Sequence, residues 1–538
     1  MPLAALPDRE AALARATEGP LDLIVVGGGI TGAGVALDAV TRGYRVALVE
    51  RDDIASGTSS KSSKLVHGGL RYLANGDVAM VAEGIRERDR TRRNAPHLVR
   101  PLPFVVADPS FIDRALLKVG LLAYDAMGTG RAVAPHRRLD RGGVRTAAPT
   151  LRAGGGGYRY WDARTDDARL TMAIVQAARL HGALVINHCE ATKLVVSSAG
   201  RVERVDVRDT LTDETASLSA RWVVAAAGVW AGDARALAPA GSWEPAVTPA
   251  RGAHLVFDRA ALPVSEAVIF GSADGDGRRL FAIPWGGQVY VGTNDVPGGD
   301  MTPTVTRGDA SYMLDAIQAS FHDAPSLGDA VGAWAGLRPL VGDASSTADI
   351  SRKHLVVEDP AGLVSVTGGK LTTWRQMAED VVDRVVDGDG GDARCLTSNI
   401  SLGAVGDRRA GDTRTRAVGS PLGFGPVASS ALYHRHGDLA PAVMAACVAE
   451  EDGTEPLVPG LPYLRGEVRW AVRHELARTV DDVLQRRTRV SLRHRAAGGA
   501  EAIAYVARVL DEELGVDAQA QTADYLARVD TERGPVTR

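Results

Sequence analysis

The chain has 538 residues, a formal net charge of -4 and 45% hydrophobic residues, which is typical of a globular protein. This length suggests about three domains, and the near balance of charge argues against a nucleic-acid-binding protein. The three cysteines, Cys189, Cys395 and Cys447, lie too far apart in sequence to indicate a disulfide framework or a metal site, so we expect no metal.

Neither a leader nor a membrane-spanning segment is visible in the sequence. Residues 1–20 are polar and helix-like, without the apolar core of a signal peptide. No run approaches the roughly 20 apolar residues that cross a bilayer. We therefore expect a cytoplasmic protein with a short N-terminal extension, and the composition leaves peripheral membrane association open.

The first predicted unit is a strand, a glycine turn and a helix. Leu21–Val26 is a continuous apolar run typical of a buried parallel strand, and a helical pattern follows at Ala33–Arg42. Between them, Gly27, Gly29 and Gly32 satisfy the G-x-G-x-x-G fingerprint of dinucleotide-binding turns. These glycines permit the tight turn, the approach of a pyrophosphate to the backbone, and close packing of the helix on the strand. The helix N-terminus then favours the bound anion.

A second apolar strand, Tyr44–Val49, ends at Glu50, about 20 residues after the turn, where a carboxylate can accept ribose hydroxyls. The following loop, Ser56–Tyr72, is dense in hydroxyl groups and also carries lysines, His67 and Arg71. Such a loop would run from the ribose towards the reactive ring of a flavin. His67 is a candidate base because imidazole titrates near neutrality, and Arg71 is a candidate anion ligand.

The middle of the chain alternates short apolar runs with turns, which indicates antiparallel sheets. One predicted meander comprises Lys193–Ser197, Val202–Arg208 and Thr215–Ala220, and it precedes a buried strand at Trp222–Ala227. A second predicted sheet comprises Ala253–Phe257, Ala267–Phe270, Arg279–Ile283 and Gln288–Gly292.

A second glycine turn follows the predicted strand Leu363–Thr367. It begins at Gly368, reads GGKLTTW, and leads into a helical pattern from about Leu371 to Val386. A helix N-terminus stabilises the negative charge that a reduced flavin carries at its N1/C2=O edge, so this turn suits a flavin enzyme. No second G-x-G-x-x-G lies between a strand and a helix, which argues against NAD as the electron acceptor.

Lysine is rare in this chain: only six of the 62 basic residues are lysines. Three of the six lie in the two loops just described, namely Lys61 and Lys64 after the second strand and Lys370 in the late glycine turn. Because chance would rarely place half of the lysines there, we infer that these positions need an ammonium group that arginine does not replace.

The C-terminal part has a different pattern. Residues 400–425 are rich in Gly, Arg and Thr with little apolar periodicity, and Gly403–Gly425 is therefore predicted to be a linker. Helical patterns at Ala428–Leu439, Gly466–Thr479 and Ala500–Val516 predict a helical domain over residues 426–538. The basic stretch of Arg486, Arg487, Arg489, Arg493 and Arg495 could face anionic lipid, and ordinary solvated arginines are the alternative.

Together these motifs resemble the FAD-dependent, quinone-linked glycerol-3-phosphate dehydrogenases of the D-amino-acid-oxidase-like flavoprotein superfamily. The resemblance rests on DLIVVGGGITGAG, TSSKSSKLVHGGLRYL, GLRPL and GGKLTTWR. Further similar segments are Asp162–Leu170, Arg251–His254, Ile283–Trp285, Gly292–Asp295 and Val468–Leu492.

The resemblance implies an α/β fold with a discontinuous Rossmann-like FAD-binding domain, an inserted antiparallel-sheet substrate domain and a C-terminal α-helical domain. The FAD-binding domain would comprise residues 21–95, 165–245 and 340–395, and the substrate-binding or cap domain residues 96–164 and 246–339.

The implied cofactor is FAD, bound non-covalently. Its ADP half would lie on the first glycine turn, and the path to the flavin would follow the loop after the second strand. The segment AAAGVWA resembles the family's ATG-type turn, although alanine replaces its threonine. The residues so implied in cofactor binding are Gly27, Gly29, Ile30, Thr31, Gly32, Glu50, Arg51, Thr58, Ser59, Ser63, Lys64, Leu65, His67, Gly68, Ala227, Gly228, Gly369, Lys370, Leu371 and Thr372.

The implied substrate is sn-glycerol 3-phosphate, which needs cations for its phosphate group. Arg71, Arg338 and Lys370 are the cationic candidates, because guanidinium and ammonium groups bind phosphate well. Tyr72 and Thr372 complete the implied substrate site.

The implied reaction is hydride transfer from C2 of the substrate to flavin N5, which yields dihydroxyacetone phosphate. It needs a base for the C2 hydroxyl proton, and His67 and His254 are the alternatives, with a slight preference for His67. Arg338 and Lys370 also count among the implied catalytic residues.

Electrons would then pass to a membrane quinone, which requires peripheral association with the cytoplasmic membrane. A glycerol-3-phosphate oxidase that uses O₂ is an alternative, and a homodimer is also left open. Two rival interpretations are an amine or 2-hydroxy-acid oxidase of the same superfamily and a non-catalytic flavin-binding regulator. The combination of a candidate base with several cations argues against the regulator.

Overall fold

The computed structural model describes residues 6–74, 76–107, 111–128, 134–153, 155–237, 247–275, 277–342 and 353–536, except for the side chains of residues 71, 74, 111–116, 235 and 236. Its strands are β1 (Leu21–Val26), β2 (Val46–Val49), β3 (Leu65–Val66), β4 (Arg100–Ala107), β5 (Arg137–Leu139), β6 (Gly157–Arg164), β7 (Leu184–Ile186), β8 (Cys189–Val196), β9 (Val202–Asp209), β10 (Thr215–Ala225), β11 (Val247–Asp258), β12 (Ala267–Gly271), β13 (Arg279–Trp285), β14 (Gln288–Gly292), β15 (Val296–Pro297), β16 (Ala330–Val341), β17 (His354–Glu358) and β18 (Leu363–Gly368).

Its α-helices are α1 (Arg9–Thr17), α2 (Ile30–Thr41), α3 (Arg71–Ala74), α4 (Val78–Asn94), α5 (Phe111–Met127), α6 (Arg141–Ala147), α7 (Asp167–Leu180), α8 (Ala231–Ala236), α9 (Arg307–Ser320), α10 (Trp374–Gly388), α11 (Arg408–Gly419), α12 (Pro426–His436), α13 (Ala440–Ala449), α14 (Gly466–His474), α15 (Val490–Arg493), α16 (Gly499–Leu514) and α17 (Ala518–Arg533).

The first sheet has eight strands, and the two glycine turns follow the ends of two of them, β1 and β18. Its order is β17-β18-β10-β1-β2-β7, with β9 and β8 continuing from β10. The strands from β18 to β7 run parallel, and Val25 lies between Val224 and Leu48. All three side chains are fully buried, because helices or a second layer cover both faces of the sheet.

The strand β10 replaces two elements that the sequence predicts separately. Its first residues pair antiparallel with β9, whereas its last residues pair parallel with β1 and β18. The last strand of the predicted meander and the predicted buried strand are therefore one continuous element, because a long strand can change partners along its length.

Helices α2, α7 and α10 cover one face of this sheet and form one apolar core with it. A β-carbon built on Gly34 would lie 2.9 Å from Cε3 of Trp374, so this glycine lets α2 and α10 approach closely. On the other face, α1 and the β8–β9–β10 layer form a second core.

The second sheet has ten strands in the order β15-β11-β14-β13-β12-β4-β6-β3, with β16 beside β11 and β5 beside β6. Its strand pairs are antiparallel apart from β12 with β4. Short β3 fastens the loop after β2 to the edge of this sheet, because Leu65 pairs with Arg164. Helix α9 packs on one face, and the α/β architecture with a second, mainly antiparallel sheet matches the predicted fold class.

Helices α11 to α17 form the C-terminal unit, and α11 occupies most of the segment predicted to be a linker. The helix begins after Asp407, whose Oδ1 accepts hydrogen bonds from the N–H groups of Arg409 and Ala410. Only Gly411, Thr415 and Gly419 are buried in it, so it lacks the apolar stripe by which a helix is recognised in sequence.

The basic C-terminal stretch is neither lipid-facing nor solvated, except at Arg495, which is exposed. Arg486 and Arg487 lie in a buried π-helical turn, Asp482–Arg487, and both pair with Asp53. Both sequence interpretations are therefore wrong for the buried arginines Arg486, Arg487, Arg489 and Arg493. Among the helices that the structure describes, none has the length and apolar character needed to cross a bilayer.

Candidate active site

The first glycine turn is built so that side chains cannot enter it. Gly27 has φ +113°, and a β-carbon there would lie 2.6 Å from the carbonyl oxygen of Ala226. A β-carbon on Gly32 would overlap the carbonyl oxygen of Gly27, so α2 can start this close to β1 only with glycine. The N–H of Ile30 donates to Oγ of Ser59 at 2.8 Å, which fixes the next loop against the helix N-terminus.

Glu50 lies at the end of β2, where the sequence places the ribose-binding carboxylate. Its Oε2 accepts a hydrogen bond from the N–H of Gly28 at 2.6 Å, and its Oε1 accepts one from the N–H of Asp52 at 2.9 Å. Burial raises the pKa of Glu50, and the two backbone hydrogen bonds act in the opposite direction. The carboxyl group is thus fixed at the mouth of the turn.

A cleft runs between both glycine turns. It is lined by these residues of the predicted cofactor set: Gly27, Gly29, Ile30, Thr31, Glu50, Arg51, Thr58, Ser59, Ala227, Gly228, Gly369, Lys370 and Leu371. The predicted residues Gly32, Ser63, Lys64, Leu65, His67, Gly68 and Thr372 do not line it. Sequence reasoning missed Trp230, Pro339 and Met377, which do. Trp230 and Pro339 each lie beside a motif residue, and that adjacency is the signal that could have found them.

These features fit FAD. The side-chain-free turn lets a pyrophosphate approach the backbone, and the N-terminus of α2 offers N–H groups to it. Glu50 suits a ribose, and the late glycine turn closes the other end of the cleft. The group would therefore be held by Gly27, Glu50 and the turn at Gly369.

The late glycine turn meets the loop after β2, as the sequence predicts. Gly368 and Gly369 have φ values of +78° and +72°. Oγ1 of Thr372 accepts a hydrogen bond from the backbone N–H of His67 at 3.0 Å. Nζ of Lys370 lies 4.0 Å from the centre of the Tyr72 ring, which is a close cation–π contact. The side chain of the other predicted cation in this loop, at residue 71, lies outside the described residues.

Gly68 packs away from the cleft. Its N–H donates to the hydroxyl of Tyr124 at 3.0 Å and to Oδ1 of Asp162 at 3.2 Å. A β-carbon built there would lie 2.5 Å from Cγ1 of Ile85. A glycine is thus required at position 68 by the packing of the loop. A direct contact of Gly68 with the cofactor remains a prediction.

His254 lies on β11 and is buried, with its ring stacked on Trp334 at 4.6 Å between centroids. Its Nε2 is hydrogen-bonded to Oγ of Ser63 at 2.9 Å, and its Nδ1 has no hydrogen-bond partner among the described residues. Burial first, and then the charges of Lys64 and Arg338, lower the pKa of His254 well below its usual value. The ring is therefore uncharged near neutral pH.

Arg338 lies on the same face of the second sheet as His254. Ala250–Arg338, Gly252–Gly336 and His254–Trp334 are every second residue pair along β11 and β16. Their side chains therefore project from the same face of the sheet. The guanidinium donates to Oδ1 of Asp295 at 2.9 Å and to Oγ1 of Thr293 at 3.1 Å. The GTND segment thus holds this cation in place.

Lys64 is buried behind the loop rather than in the cleft wall. Its Nζ donates to Oδ1 of Asp167 at 2.9 Å and lies 4.7 Å from the Trp334 ring. Arg489, which has φ +61°, also pairs with Asp167. Burial and then Arg489 lower the pKa of Lys64 to about 8, although Asp167 acts in the opposite direction. Lys64 and Asp167 hold the loop that carries Ser63. Sequence reasoning gave no role to Asp167 and expected Arg489 to face lipid or solvent.

Comparisons with known proteins agree with this geometry. The sequence family described as "FAD dependent oxidoreductase" matches residues 22–375, and the "C-terminal domain of alpha-glycerophosphate oxidase" matches residues 395–521. Glycerol-3-phosphate dehydrogenase 1 of Mycobacterium tuberculosis is 40% identical over 510 residues, which cover 89% of this chain and 93% of the relative. A mitochondrial glycerol-3-phosphate dehydrogenase of Arabidopsis thaliana is 34% identical over 550 residues, covering 95% and 86%.

Among solved structures, the glycerol-3-phosphate dehydrogenase from Bacillus halodurans complexed with FAD superposes with a TM-score of 0.81 at 30% identity, and the match covers 98% of each chain. The fold and cleft define an FAD-dependent oxidoreductase, which confirms the predicted fold class and the predicted cofactor. The chain belongs to the FAD-dependent glycerol-3-phosphate dehydrogenase family, as its motifs indicate.

Proposed function

We propose that the chain oxidises sn-glycerol 3-phosphate at C2 to dihydroxyacetone phosphate with bound FAD. The names of relatives that match nearly the whole chain support this substrate. The observation that carries the proposal is that Arg338 and the uncharged His254 project from one sheet face. A cation for a phosphate group and a proton acceptor for a hydroxyl group thus share one surface, as this oxidation requires.

The chain's own residues have separate tasks in this reaction. Arg338, held by Asp295, binds the phosphate group, and Lys370, which lines the cleft, adds a second charge. Bound FAD supplies the hydride acceptor, N5 of its flavin ring. His254 takes the C2 hydroxyl proton, since the substrate's negative charge raises the basicity of an imidazole that burial and neighbouring cations have lowered. His67 is the alternative base.

The cationic half of this proposal is tested with Arg338→Ala and two substrates, glycerol 3-phosphate and glycerol. Losing a charged phosphate contact costs about 2–4 kcal/mol, so kcat/KM for glycerol 3-phosphate should fall by about 30- to 1000-fold. The slow oxidation of glycerol, which has no phosphate group, should stay within about twofold, and FAD should remain bound. Unchanged kinetics with glycerol 3-phosphate would remove Arg338 from the site.

We propose a membrane quinone as the electron acceptor, reached by peripheral association with the cytoplasmic membrane. The sequence resemblance supports this acceptor, whereas the match of residues 395–521 to a domain named after an oxidase supports O₂ as the second candidate. A soluble quinone analogue should sustain turnover, and air alone should sustain less than a tenth of that rate with little hydrogen peroxide. If air alone sustained the full rate and one hydrogen peroxide formed per substrate oxidised, the acceptor would be O₂ and not a quinone. Failure to sediment with anionic lipid vesicles would exclude the membrane association.

A further inference from the structure

A group of cations lies where the edge of the second sheet meets the C-terminal helices. We call Arg100, Arg164, Arg408 and His434 the cationic cluster. Arg100 on β4 and Arg164 on β6 are directly opposite each other, so two guanidinium groups leave the same face of adjacent strands. Arg408 is the first residue of α11, and His434 lies near the end of α12.

The cluster has more hydrogen-bond donors than acceptors. Nδ1 of His434 lies 3.2 Å from Nη1 of Arg100, and Nε2 of His434 lies 3.5 Å from Nη1 of Arg408. A guanidinium group only donates, and a neutral imidazole has a single acceptor nitrogen, so only one of these contacts can be a hydrogen bond. Burial and then Arg100 lower the pKa of His434 to about 3, and a protonated ring would add yet another donor.

The cluster also lacks counter-charge. Among the described residues, no carboxylate oxygen forms an ion pair within 4.0 Å of Arg100, Arg164 or Arg408. Among the residues that the structure describes, Nε of Arg100 is buried without a hydrogen-bond partner, and the side chain of Arg164 hydrogen-bonds only to the carbonyl oxygen of Pro284 at 2.6 Å. Burial and then Arg164 and Arg408 lower the pKa of Arg100 to about 9, although Asp166 and Asp412 act in the opposite direction.

The two carboxylates whose charges act on Arg100, Asp166 and Asp412, each form an ion pair with another arginine. Asp166 accepts a hydrogen bond from the N–H of Arg169 at 3.2 Å and pairs with Arg489 at 3.2 Å. Oδ2 of Asp412 pairs with Arg416 at 2.8 Å, and its Oδ1 is buried without a hydrogen-bond partner among the described residues. Neither carboxylate reaches ion-pair distance of the three guanidinium groups, so a group that completes the cluster would bring negative charge and several acceptor oxygens from outside the chain.

We propose that the cationic cluster is a binding site for a tetrahedral oxyanion, namely a phosphate group. Its oxygens would accept hydrogen bonds from guanidinium groups of three elements, β4, β6 and α11. A water molecule would not neutralise the positive charge of these groups, and the two oxygens of a carboxylate would reach fewer of them. The anion would come from free inorganic phosphate or from a phosphate monoester, which have the same recognition chemistry.

Occupation of the site would fasten the C-terminal helices to the sheet edge. Arg164 pairs with Leu65 of β3, and the N–H of Thr165 donates to the carbonyl oxygen of Lys64 at 2.9 Å, so β6 adjoins the loop that leads to the active site. Bound phosphate should therefore raise the thermal-unfolding midpoint of the holoenzyme. None of the four cluster residues belongs to the proposed substrate site, so the proposal does not depend on the proposed function.

The test is a calorimetric and thermal-unfolding titration of the FAD-loaded protein with inorganic phosphate, in wild type, Arg408→Gln and Arg338→Ala. Arg409→Gln is the matched control, because it removes the same charge from the next residue, which is exposed. Phosphate should bind Arg408→Gln at least tenfold more weakly than wild type and Arg409→Gln, and its stabilising effect should fall in parallel. Binding at this site should survive in Arg338→Ala. If Arg408→Gln fails to load FAD, Arg408→Leu and Arg164→Gln provide the same comparison.

Three outcomes would overturn the proposal. They are the absence of saturable binding by wild type, equal binding by Arg408→Gln, and binding that disappears in Arg338→Ala but persists in Arg408→Gln. O-phosphoserine, titrated in parallel, distinguishes the sources. Binding of both probes with the same dependence on Arg408 supports a site that accepts monoesters, and binding of inorganic phosphate alone supports a site for the free ion.

Discussion

The substitution Asp167→Asn removes a fully buried carboxylate that pairs with two buried cations. Oδ1 of Asp167 accepts from Nζ of Lys64 at 2.9 Å and also pairs with Arg489, and Oδ2 accepts from the hydroxyl of Ser62 at 2.7 Å. Asparagine keeps the size and two of the polar contacts but not the charge. Lys64, Asp167 and Arg489 are each at most 1% exposed, so water cannot replace the lost partner.

Breaking a buried ion pair on one side typically costs about 3–5 kcal/mol, because a charge is left uncompensated. We expect a loss of stability in that range, together with a further decrease of the pKa of Lys64 below about 8, since Asp167 raises this pKa more than Asp166 does. The loop segment next to Ser62 should loosen as well, because Ser63 holds His254 through a 2.9 Å hydrogen bond.

The assay is urea unfolding of the FAD-loaded protein combined with kcat/KM for glycerol 3-phosphate. The control is Asp167→Asn combined with Lys64→Met and Arg489→Met, which removes both buried charges as well. This triple variant should be more stable than Asp167→Asn alone, because apolar replacement of a whole buried ion pair is often neutral. A loss below about 1 kcal/mol for Asp167→Asn, or a triple variant less stable than the single one, would refute the reasoning about charge compensation.

Three further predictions follow from single contacts. Gly32→Val should abolish FAD binding, seen as a colourless protein, since its β-carbon would overlap the carbonyl oxygen of Gly27; retention of FAD would contradict the turn geometry. Lys370→Arg should lower turnover although the charge is kept, because the ammonium lies 4.0 Å from the Tyr72 ring centre; wild-type kcat would refute this role. Burial raises the pKa of Glu467, but Arg435 is among the groups that lower it, and this pKa lies at about 2, below the usual value of 4.5. The ionised carboxylate therefore stabilises the fold by about 3 kcal/mol above pH 4.5, and this contribution is lost as the pH falls towards 2. The stability difference between wild type and Glu467→Gln should therefore shrink in acid, and a constant difference would contradict it.

The cofactor turn could be predicted from sequence because its signal is local. Gly27, Gly32 and Glu50 lie within one β-α-β unit, and each is needed for a contact inside that unit. The family resemblance placed the late turn and the loop after β2 at one cofactor and substrate site, and the hydrogen bond from the N–H of His67 to Oγ1 of Thr372 joins the two segments.

The C-terminal arginines could not be placed in this way. A run of basic residues on a helix usually faces solvent, yet Arg487 pairs with Asp53, which lies more than four hundred positions earlier in the chain. Long-range ion pairs leave no local periodicity. For the same reason, the sequence did not predict that Lys64 is buried against Asp167, which also pairs with Arg489. The motif of its loop predicted a position near the cofactor instead.

The most direct test of the central claim is anaerobic reduction of the bound flavin, followed by its absorbance near 450 nm. Glycerol 3-phosphate should bleach the flavin rapidly, and substrate carrying deuterium at C2 should bleach it several-fold more slowly, since the C2–H bond breaks in that step. Bleaching by glycine, a D-amino acid or lactate, with no response to glycerol 3-phosphate, would contradict the proposed substrate and reaction.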